Sequence, residues 1–369
     1  MIAKMINTFV WVPDYLKKRI ENRRIYAGRQ AGPLHVFFCI CDHFEPYWNH
    51  ADGKTAQMRI SRWLDSYPAI SENYLDSSGN RLKYSFFYPE EEYRYEDMRQ
   101  IADLCHAGYG EVEIHLHHDN DTSDNLRKTL LDFKSRLHGD HGLLSIDAVS
   151  KEISYGFIHG NWALDNSRPD GRMCGVNDEL DILQQTGCYA DFTMPSAPDI
   201  TQIRKVNSIY RAVDDPTRPK SHETGQDLAV GTKGEGLLMV QGPIALNWKN
   251  RSHGILPKIE NGGLMESNPP SASRIQLWLD QRIHIQGFPD GVFVKIYTHG
   301  TQERNMKMLF DDRYLAFLLE YLATLAADRE RYRVYFTSAR EMTNIIHAIT
   351  DGETENFDRC RDYRYRISP

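Results

Sequence analysis

Three things that this 369-residue chain lacks narrow its function class before any motif is considered. None of its six cysteines belongs to a Cys-x-x-Cys pair, which argues against a cysteine-based zinc motif and a disulfide framework, so free thiols are expected. The formal net charge is −7, which argues against a general nucleic-acid binder. The first 30 residues contain no apolar run long enough for a signal peptide or a membrane span. We therefore predict a cytoplasmic protein that has neither a nucleic-acid partner nor a membrane span.

The composition provides for a large core, because 41% of the residues are hydrophobic. At the N-terminus, apolar residues between Ile6 and Leu16 precede a run of Lys and Arg. This stretch could form a helix packed on the domain, or a helix that touches a membrane surface. We favour the packed helix, since Pro13 interrupts the apolar pattern.

Strand-like and helix-like patterns alternate along most of the chain. Runs rich in β-branched and aromatic residues end at turn residues and are followed by amphipathic helical patterns. This order predicts an α/β fold with a largely parallel sheet. The clearest predicted strands cover residues 34–41, 84–88, 155–159, 292–298 and 332–336.

The stretch 110–121 combines a strand pattern with an unusual density of imidazole and carboxylate. Read with period two, its apolar residues fall on one face, and Glu113, His115 and His117 fall on the other. His118, Asp119 and Asp121 follow at once. A metal site and a polar surface strand both explain this, and we favour the metal site because surface strands prefer Thr, Lys and Glu to repeated His.

Polar side chains also end other predicted strands, at Asp42, His159 and His299. In a β/α barrel the carboxyl ends of the strands converge on one rim, where active sites form. Two stretches, 214–236 and 247–263, are too long to be simple connectors, so we predict that they wall a substrate cleft.

In the order of these motifs, the chain resembles the polysaccharide deacetylase family, the NodB-homology type of carbohydrate esterase, over about residues 34–347. The resemblance implies a distorted (β/α)7-type barrel with long loops at its C-terminal rim. It divides the chain into an N-terminal helical extension (1–30), the barrel (31–350) and a C-terminal tail (351–369).

The resemblance also implies a metal site. The family's first strand ends in two Asp, a general base and then a metal ligand, and Asp42 and His43 stand at these positions. The second motif is His-Ser/Thr-x-x-His, where His117 matches the first His and Asp121 replaces the second. The two exchanges compensate, so the implied ligands are His43, His117 and Asp121, a set that suits Zn²⁺.

Several neighbouring residues could replace one of these ligands or orient it. Glu113 and His115 share the strand face of His117, His118 is adjacent, and Glu45 follows His43 closely.

The last two motifs imply residues for the acid step and for substrate binding. His299 matches the family's general acid. His159, Asn161 and Trp162 match a strand end that shapes the substrate groove, although His159 could be a structural His and Trp162 a core residue. Lys295 shares the strand face of His299, and a buried Lys needs a partner, so we expect a carboxylate or an anionic substrate beside it.

Together these features predict a metal-dependent hydrolase that removes N- or O-acetyl groups from a carbohydrate. Asp42 would take a proton from the attacking water, and His299 would protonate the leaving group. Two alternatives remain open, a glycoside hydrolase on a related barrel and a non-catalytic carbohydrate-binding protein. The glycosidase needs two carboxylates across the cleft and no metal, so metal dependence separates it from the deacetylase.

Overall fold

The computed structural model describes residues 9–28, 32–252 and 255–367. The predicted N-terminal extension is thus described only over 9–28, and Ile6 lies outside the described residues. The first helix, α1 (Val12–Ala27), has Pro13 in its first turn, where the missing amide hydrogen costs no helical bond. Trp11 and Tyr15 are buried against the domain. Pro13 therefore starts this helix and does not interrupt it.

Helices and strands alternate along much of the described chain, but between residues 188 and 264 strands follow one another without an α-helix. The further helices are α2 (Gly53–Ser71), α3 (Tyr95–His106), α4 (Ser123–His141), α5 (Glu179–Gln185), α6 (Ala272–Leu279), α7 (Glu303–Met306), α8 (Tyr314–Ala327) and α9 (Ala339–Thr350). The strands are β1 (Leu34–His43), β2 (Tyr84–Pro89), β3 (Gly110–Leu116), β4 (Ser145–Asp147), β5 (Ile153–His159), β6 (Cys188–Asp191), β7 (Ile209–Ala212), β8 (Gln226–Asp227), β9 (Leu237–Val240), β10 (Ala245–Ser252), β11 (Leu256–Glu260), β12 (Gly263–Leu264), β13 (Gly291–Thr298), β14 (Tyr332–Phe336) and β15 (Tyr365–Ile367). In the part of the chain that is described, no helix is long and apolar enough to cross a membrane.

Most strands belong to one large sheet, whose path is β12–β13–β1–β2–β3–β5–β6–β9–β7–β8. From β12 to β9 all neighbours along this path are parallel, and β7 is antiparallel to both of its neighbours. β1 pairs along one edge with β13, and along the other first with β14 and then with β2. This confirms the predicted α/β class with a largely parallel sheet.

One predicted loop is a hairpin. The stretch 247–263 was expected to be irregular, but most of it forms the antiparallel pair β10–β11. Trp248 and Leu256 are both more than half exposed on this ribbon. The base of this ribbon is buried in one cluster with Trp11, but its outer half is exposed and needs no apolar face, so the alternation that marks buried strands is missing there. The other predicted loop, 214–236, is mostly irregular, with one turn at Ser221–Glu223 and the short β8.

β1 separates two layers of the core. Its even-numbered side chains from Val36 to Ile40 pack in the layer of α2, α3 and α4, and its odd-numbered ones from Phe37 to Cys41 pack in the layer of α9. Alternate side chains of a strand point to opposite faces. The last two residues of β1, Asp42 and His43, therefore point to different sides of the sheet.

The segment that the sequence set apart as a tail packs against the domain over its described residues, 351–367. Phe357 is buried in the core, and β15 pairs with β4. The buried guanidinium of Arg340 in α9 is 2.8 Å from the carboxylate of Glu111, and it also donates to the carbonyl oxygen of Tyr365 at 2.7 Å. This ion pair links the start of β3 to the last strand.

Candidate metal centre

Five polar side chains meet at the edge of the sheet where β1, β3 and β13 end. His43 is the last residue of β1, and Glu45 follows it. His115 lies near the end of β3 with His117 just beyond it, and His299 follows β13. The carboxyl ends of neighbouring parallel strands share one edge, which is why residues so distant in sequence come together here.

The carboxylate of Glu45 lies at the centre of this group, which we call the Glu45 cluster. Its Oε1 is 3.2 Å from Nε2 of His115 and 3.4 Å from Nε2 of His117, and its Oε2 is 3.4 Å from Nδ1 of His299. The ring centroid of His43 is 4.5 Å from that of His299 and 4.8 Å from that of His115. Burial alone would raise the pKa of Glu45, but the three imidazoles that surround its carboxylate hold it well below its usual range.

The geometry of His115 is compatible with a role as a metal ligand in the Glu45 cluster. Its Nδ1 is 2.7 Å from the carbonyl oxygen of Ile158, which can only accept, so this nitrogen carries the ring proton. Burial lowers the pKa of His115 and favours the neutral ring, whose Nε2 lone pair then faces Glu45 at 3.2 Å. Either a proton or a metal ion between these two atoms would satisfy the contact.

The spacing around Glu45 fits a divalent cation. Nitrogen and oxygen ligands about 2.1 Å from a tetrahedral ion are about 3.4 Å apart. The ligand atoms of His43, Glu45 and His299 all lie within 4.8 Å of one another, as do those of Glu45, His115 and His117. Buried groups that could hold a metal ion are therefore present, and imidazole with carboxylate suits Zn²⁺ and neighbouring first-row ions.

The structure brings two of the three predicted ligands together. His43 and His117 both lie in the Glu45 cluster, whereas Asp121 does not. Asp121 turns toward His118, with its Oδ2 3.1 Å from Nδ1 of that ring. Glu45 supplies the carboxylate of the cluster in its place. The path of the loop after β3 determines where Asp121 lies, and that path cannot be predicted from the spacing of residues in the sequence.

Asp42, the predicted general base, faces away from the cleft. Its Oδ1 accepts a hydrogen bond from the backbone N–H of Gly300 at 2.7 Å, and a Cβ at position 300 would collide with the same carboxylate. The indole of Trp63 donates to the carbonyl oxygen of Gly300 at 3.0 Å. Burial, partly offset by the Gly300 N–H, raises the pKa of Asp42 to about 7. The role this geometry supports for Asp42 is to hold the turn that carries His299.

An open cleft of about 560 Å³ leads to the Glu45 cluster. Trp162 and Asn161, both predicted as substrate-binding residues, line it, and His299 lies edge-on to Trp162 at 6.2 Å. Its lining also includes residues that no sequence pattern singled out, namely Tyr47, Trp48, Glu91 and Glu92. Tyr47 and Trp48 sit in an irregular stretch after Pro46, where no periodicity exists to identify them.

The turn that carries Trp162 is strained. Asn161 and Trp162 both have positive φ angles, of 56° and 55°, which non-glycine residues rarely adopt. The ring of His117 lies so close to Gly160 that any Cβ there would collide with it. His117 also contacts the carboxylate of Glu91 through its Nδ1. The turn is thus held directly against the Glu45 cluster.

Two other predicted substrate residues are buried outside the lining of the cleft. His159 is fully buried, with its Nε2 3.7 Å from the carboxylate of Glu179. Lys295 points into the sheet interior, and its Nζ donates to the carbonyl oxygens of Phe192 and Met194 at 2.6 and 2.8 Å. The expected carboxylate or anionic partner of Lys295 is therefore replaced by backbone carbonyls.

No protein-family model matches the sequence, and no curated protein matches it. The geometry of the site is accordingly the basis for the functional proposal.

Proposed function

We propose that the protein is a metal-dependent hydrolase that removes an N- or O-acetyl group from a carbohydrate. The observation that carries this proposal is the Glu45 cluster itself, one buried carboxylate ringed by His43, His115, His117 and His299 at the end of an open cleft. Its position at the carboxyl ends of parallel strands is where α/β enzymes place their chemistry.

The proposal includes a distorted, barrel-like closure of the sheet. Lys295 of β13 bonds to the backbone just after β6, and Gly242, just after β9, approaches the carbonyl oxygen of Lys295 so closely that a Cβ would lie 2.5 Å from it. These contacts bring β13 near β6 and β9, from the far part of the parallel path. They support a barrel of the (β/α)7 type.

A divalent cation held by Glu45, His115 and His117 would act as a Lewis acid on the acyl carbonyl. His299 lies between Glu45 and Trp162, where it can protonate the leaving amine or alcohol.

Because Asp42 faces away from the cleft, we assign the acceptance of the water proton to Glu92, which lines the cleft. Burial, partly offset by a hydrogen bond from the backbone N–H of Tyr47, raises the pKa of Glu92 to about 7. A carboxyl group with that pKa can take up and return a proton near neutral pH.

The lining of the cleft supports a sugar as the substrate. Trp48, Trp162 and Tyr47 place aromatic surface around the cluster, and Asn161 adds a polar side chain. Aromatic rings with a few polar groups are a common way to orient a ring-shaped ligand.

The glycosidase alternative is less well supported. Among the described lining residues, the carboxylates are Glu45, Glu91 and Glu92, which follow the neighbouring strands β1 and β2. The turn of Asn161 and Trp162 brings no carboxylate. A glycosidase would need a second carboxyl group across the scissile bond.

The test is acetate release from a panel of acetylated saccharides by protein reconstituted with Zn²⁺, Co²⁺ or Ni²⁺. We expect release that a chelator abolishes and added metal restores. His299→Gln should keep its metal but lose turnover by about 10²–10⁴-fold, as for loss of a general acid. Sugar release that is indifferent to chelator would favour the glycosidase. No acetate release across the panel with all three metals would overturn the deacetylase proposal.

A further inference from the structure

A second group of metal-ligating side chains lies beside the Glu45 cluster but is closed to solvent. It consists of His118, His159, Cys174 and Glu179, whose ligand atoms all lie within 4.8 Å of one another. The His118 side chain is 6% exposed, and the other three are fully buried. We call this group the Glu179 cluster. None of its members lines the cleft.

The carboxylate of Glu179 faces the other three side chains. Its Oε1 is 3.2 Å from Nε2 of His118 and 3.7 Å from Nε2 of His159. Its Oε2 is 3.4 Å from Sγ of Cys174. These separations are close to the distances of about 3.4–3.8 Å expected between ligands of one tetrahedral zinc ion.

Both imidazoles turn their outer nitrogen to an acceptor. Nδ1 of His159 contacts the carbonyl oxygen of Gly160, which can only accept, and Nδ1 of His118 is 3.1 Å from Oδ2 of Asp121. In the neutral ring of His159 the lone pair is then on Nε2, which faces Glu179, and Nε2 of His118 faces the same carboxylate. Nε2 of His159 is buried and has no hydrogen-bond partner among the described residues. Inward lone pairs with outward N–H groups are the arrangement of metal-bound histidines.

Two backbone N–H groups are directed at the sulfur of Cys174, which itself faces the carboxylate of Glu179. Its Sγ accepts backbone N–H groups from Asn166 at 3.3 Å and from Val176 at 3.5 Å. Hydrogen bonds to the charged form of a group favour that form. A thiolate beside the Glu179 carboxylate requires a cation between them.

We propose that His118, His159, Cys174 and Glu179 hold a second divalent cation of the Zn²⁺ class in a four-coordinate, structural site. Two imidazoles, a thiolate and a carboxylate complete a tetrahedron and leave no position for water or substrate, which distinguishes structural from catalytic zinc sites. This inference is independent of the proposed hydrolase activity.

The site would order a segment that has little regular structure. Residues 163–178 connect a strained turn to α5 without helix or strand, and Asp165, Asn166 and Met173 have positive φ angles within it. Cys174 lies in the second half of this segment, and Glu179 follows its end. A cation bound by these two residues would connect that half to His118, just after β3, and to His159, at the end of β5. Because His159 directly precedes the turn of Trp162, the same cation would steady one wall of the cleft.

The test is the absorption spectrum of the full chain loaded with Co²⁺, since the Glu179 cluster contains a thiol and the Glu45 cluster does not. We expect two bound equivalents and a thiolate-to-cobalt charge-transfer band. Cys174→Ser should lose this band and one equivalent, whereas Cys188→Ser, a buried cysteine outside both clusters, should retain both. A loaded wild type without the band, or a band that persists in Cys174→Ser, would overturn the proposal.

His115→Ala provides a second measurement that needs no change in the Glu179 cluster. It should keep one equivalent together with the full charge-transfer band. Loss of the band along with the Glu45-cluster metal would mean that there is a single site, and would overturn the inference. Failure of the acetate-release test would leave this result unaffected, so the two proposals can fail separately.

Discussion

The Glu45 and Glu179 clusters share one plan, a buried carboxylate that faces the Nε2 atoms of imidazoles, but they differ in access. The Glu45 cluster opens to a cleft, and the side chain of His117 at its mouth is 32% exposed. The Glu179 cluster is sealed and adds a cysteine. Access to solvent and the set of donor atoms are the features by which we assign a catalytic role to the first cluster and a structural role to the second, although both lie at the ends of neighbouring strands.

Each cluster contains an imidazole whose pKa is raised and another whose pKa is lowered. Burial would lower the pKa of His118, but the carboxylates of Asp121 and Glu179 raise it to about 9. Burial, together with the neighbouring His299 and His115, holds the pKa of His43 well below its usual range. The reverse holds for one ring of each cluster: Glu45 and Glu91 raise the pKa of His117 to about 10 against the effect of burial, and burial lowers the pKa of His159 to about 3.

The largest effect is expected from His115→Ala. It removes a proposed ligand and the ring whose lone pair faces Glu45, so the cleft should lose its metal. Turnover should fall by about three to four orders of magnitude, because Lewis-acid stabilisation contributes several kcal/mol. Metal analysis and acetate release measure this together. His106→Ala, at the end of α3 and outside both clusters, is the control. Unchanged metal content in His115→Ala would remove the Glu45 cluster from consideration as a metal site.

A smaller effect is expected when the aromatic wall is changed. Trp162→Ala should lower kcat/KM by about tenfold, mainly through KM, since one ring contact contributes about 1–1.5 kcal/mol. Trp248→Ala, on the exposed β10–β11 hairpin, is the matched control and should leave kcat/KM unchanged. Steady-state kinetics on an acetylated saccharide decide between them. Equal effects of the two substitutions would show that the cleft is not where the sugar binds.

The smallest effect on activity is expected at Glu113, which shares the strand face of His115 but has no imidazole beside its carboxyl group. Burial, partly offset by hydrogen bonds from Tyr189 and the Gly156 N–H, raises its pKa from 4.5 to about 8. A carboxyl pKa that is higher in the folded state contributes stability that is full below about pH 4.5 and is lost as the pH rises toward 8.

The corresponding variant is Glu113→Gln, which stays neutral at every pH. The free energy of unfolding of the wild type should fall relative to this variant between about pH 4.5 and 8, by on the order of a few kcal/mol. Chemical denaturation at a series of pH values measures the difference, and metal content should not change. Parallel pH profiles for the two proteins would contradict the assignment of a neutral, buried Glu113.

Part of this arrangement follows from the sequence because strand periodicity is a strong constraint. The alternation in β1 and β3 was sufficient to predict that His43, His115 and His117 are near strand ends, and the strand before His299 was also predicted correctly. The inward direction of Lys295 follows from the same period of two. These residues lie within or just beyond regular elements, where local geometry fixes the direction of a side chain.

The remaining features depend on loop paths that no periodicity encodes. Asp121 lies only four residues after His117, yet the chain turns and places it beside His118. Glu45 lies two residues after β1 and takes the central position instead. Lys295 satisfies its charge with carbonyl oxygens that only the folded sheet brings near. The cysteine of the Glu179 cluster lies in an irregular segment, so its sequence context gives no indication of a ligand.

The ion pair between Arg340 and Glu111 determines where this chain can be shortened. A chain that ends at residue 350, the domain boundary suggested by the sequence, would lose the carbonyl oxygen of Tyr365 that Arg340 uses and the buried ring of Phe357. It would also uncover the edge of β4. The guanidinium of Arg340, which pairs with Glu111 at the start of β3, would then lack one of its buried acceptors. His115 lies near the other end of the same strand. Residues 351–367 thus stabilise the strand that carries His115, and removing them is equivalent to a mutation in the core.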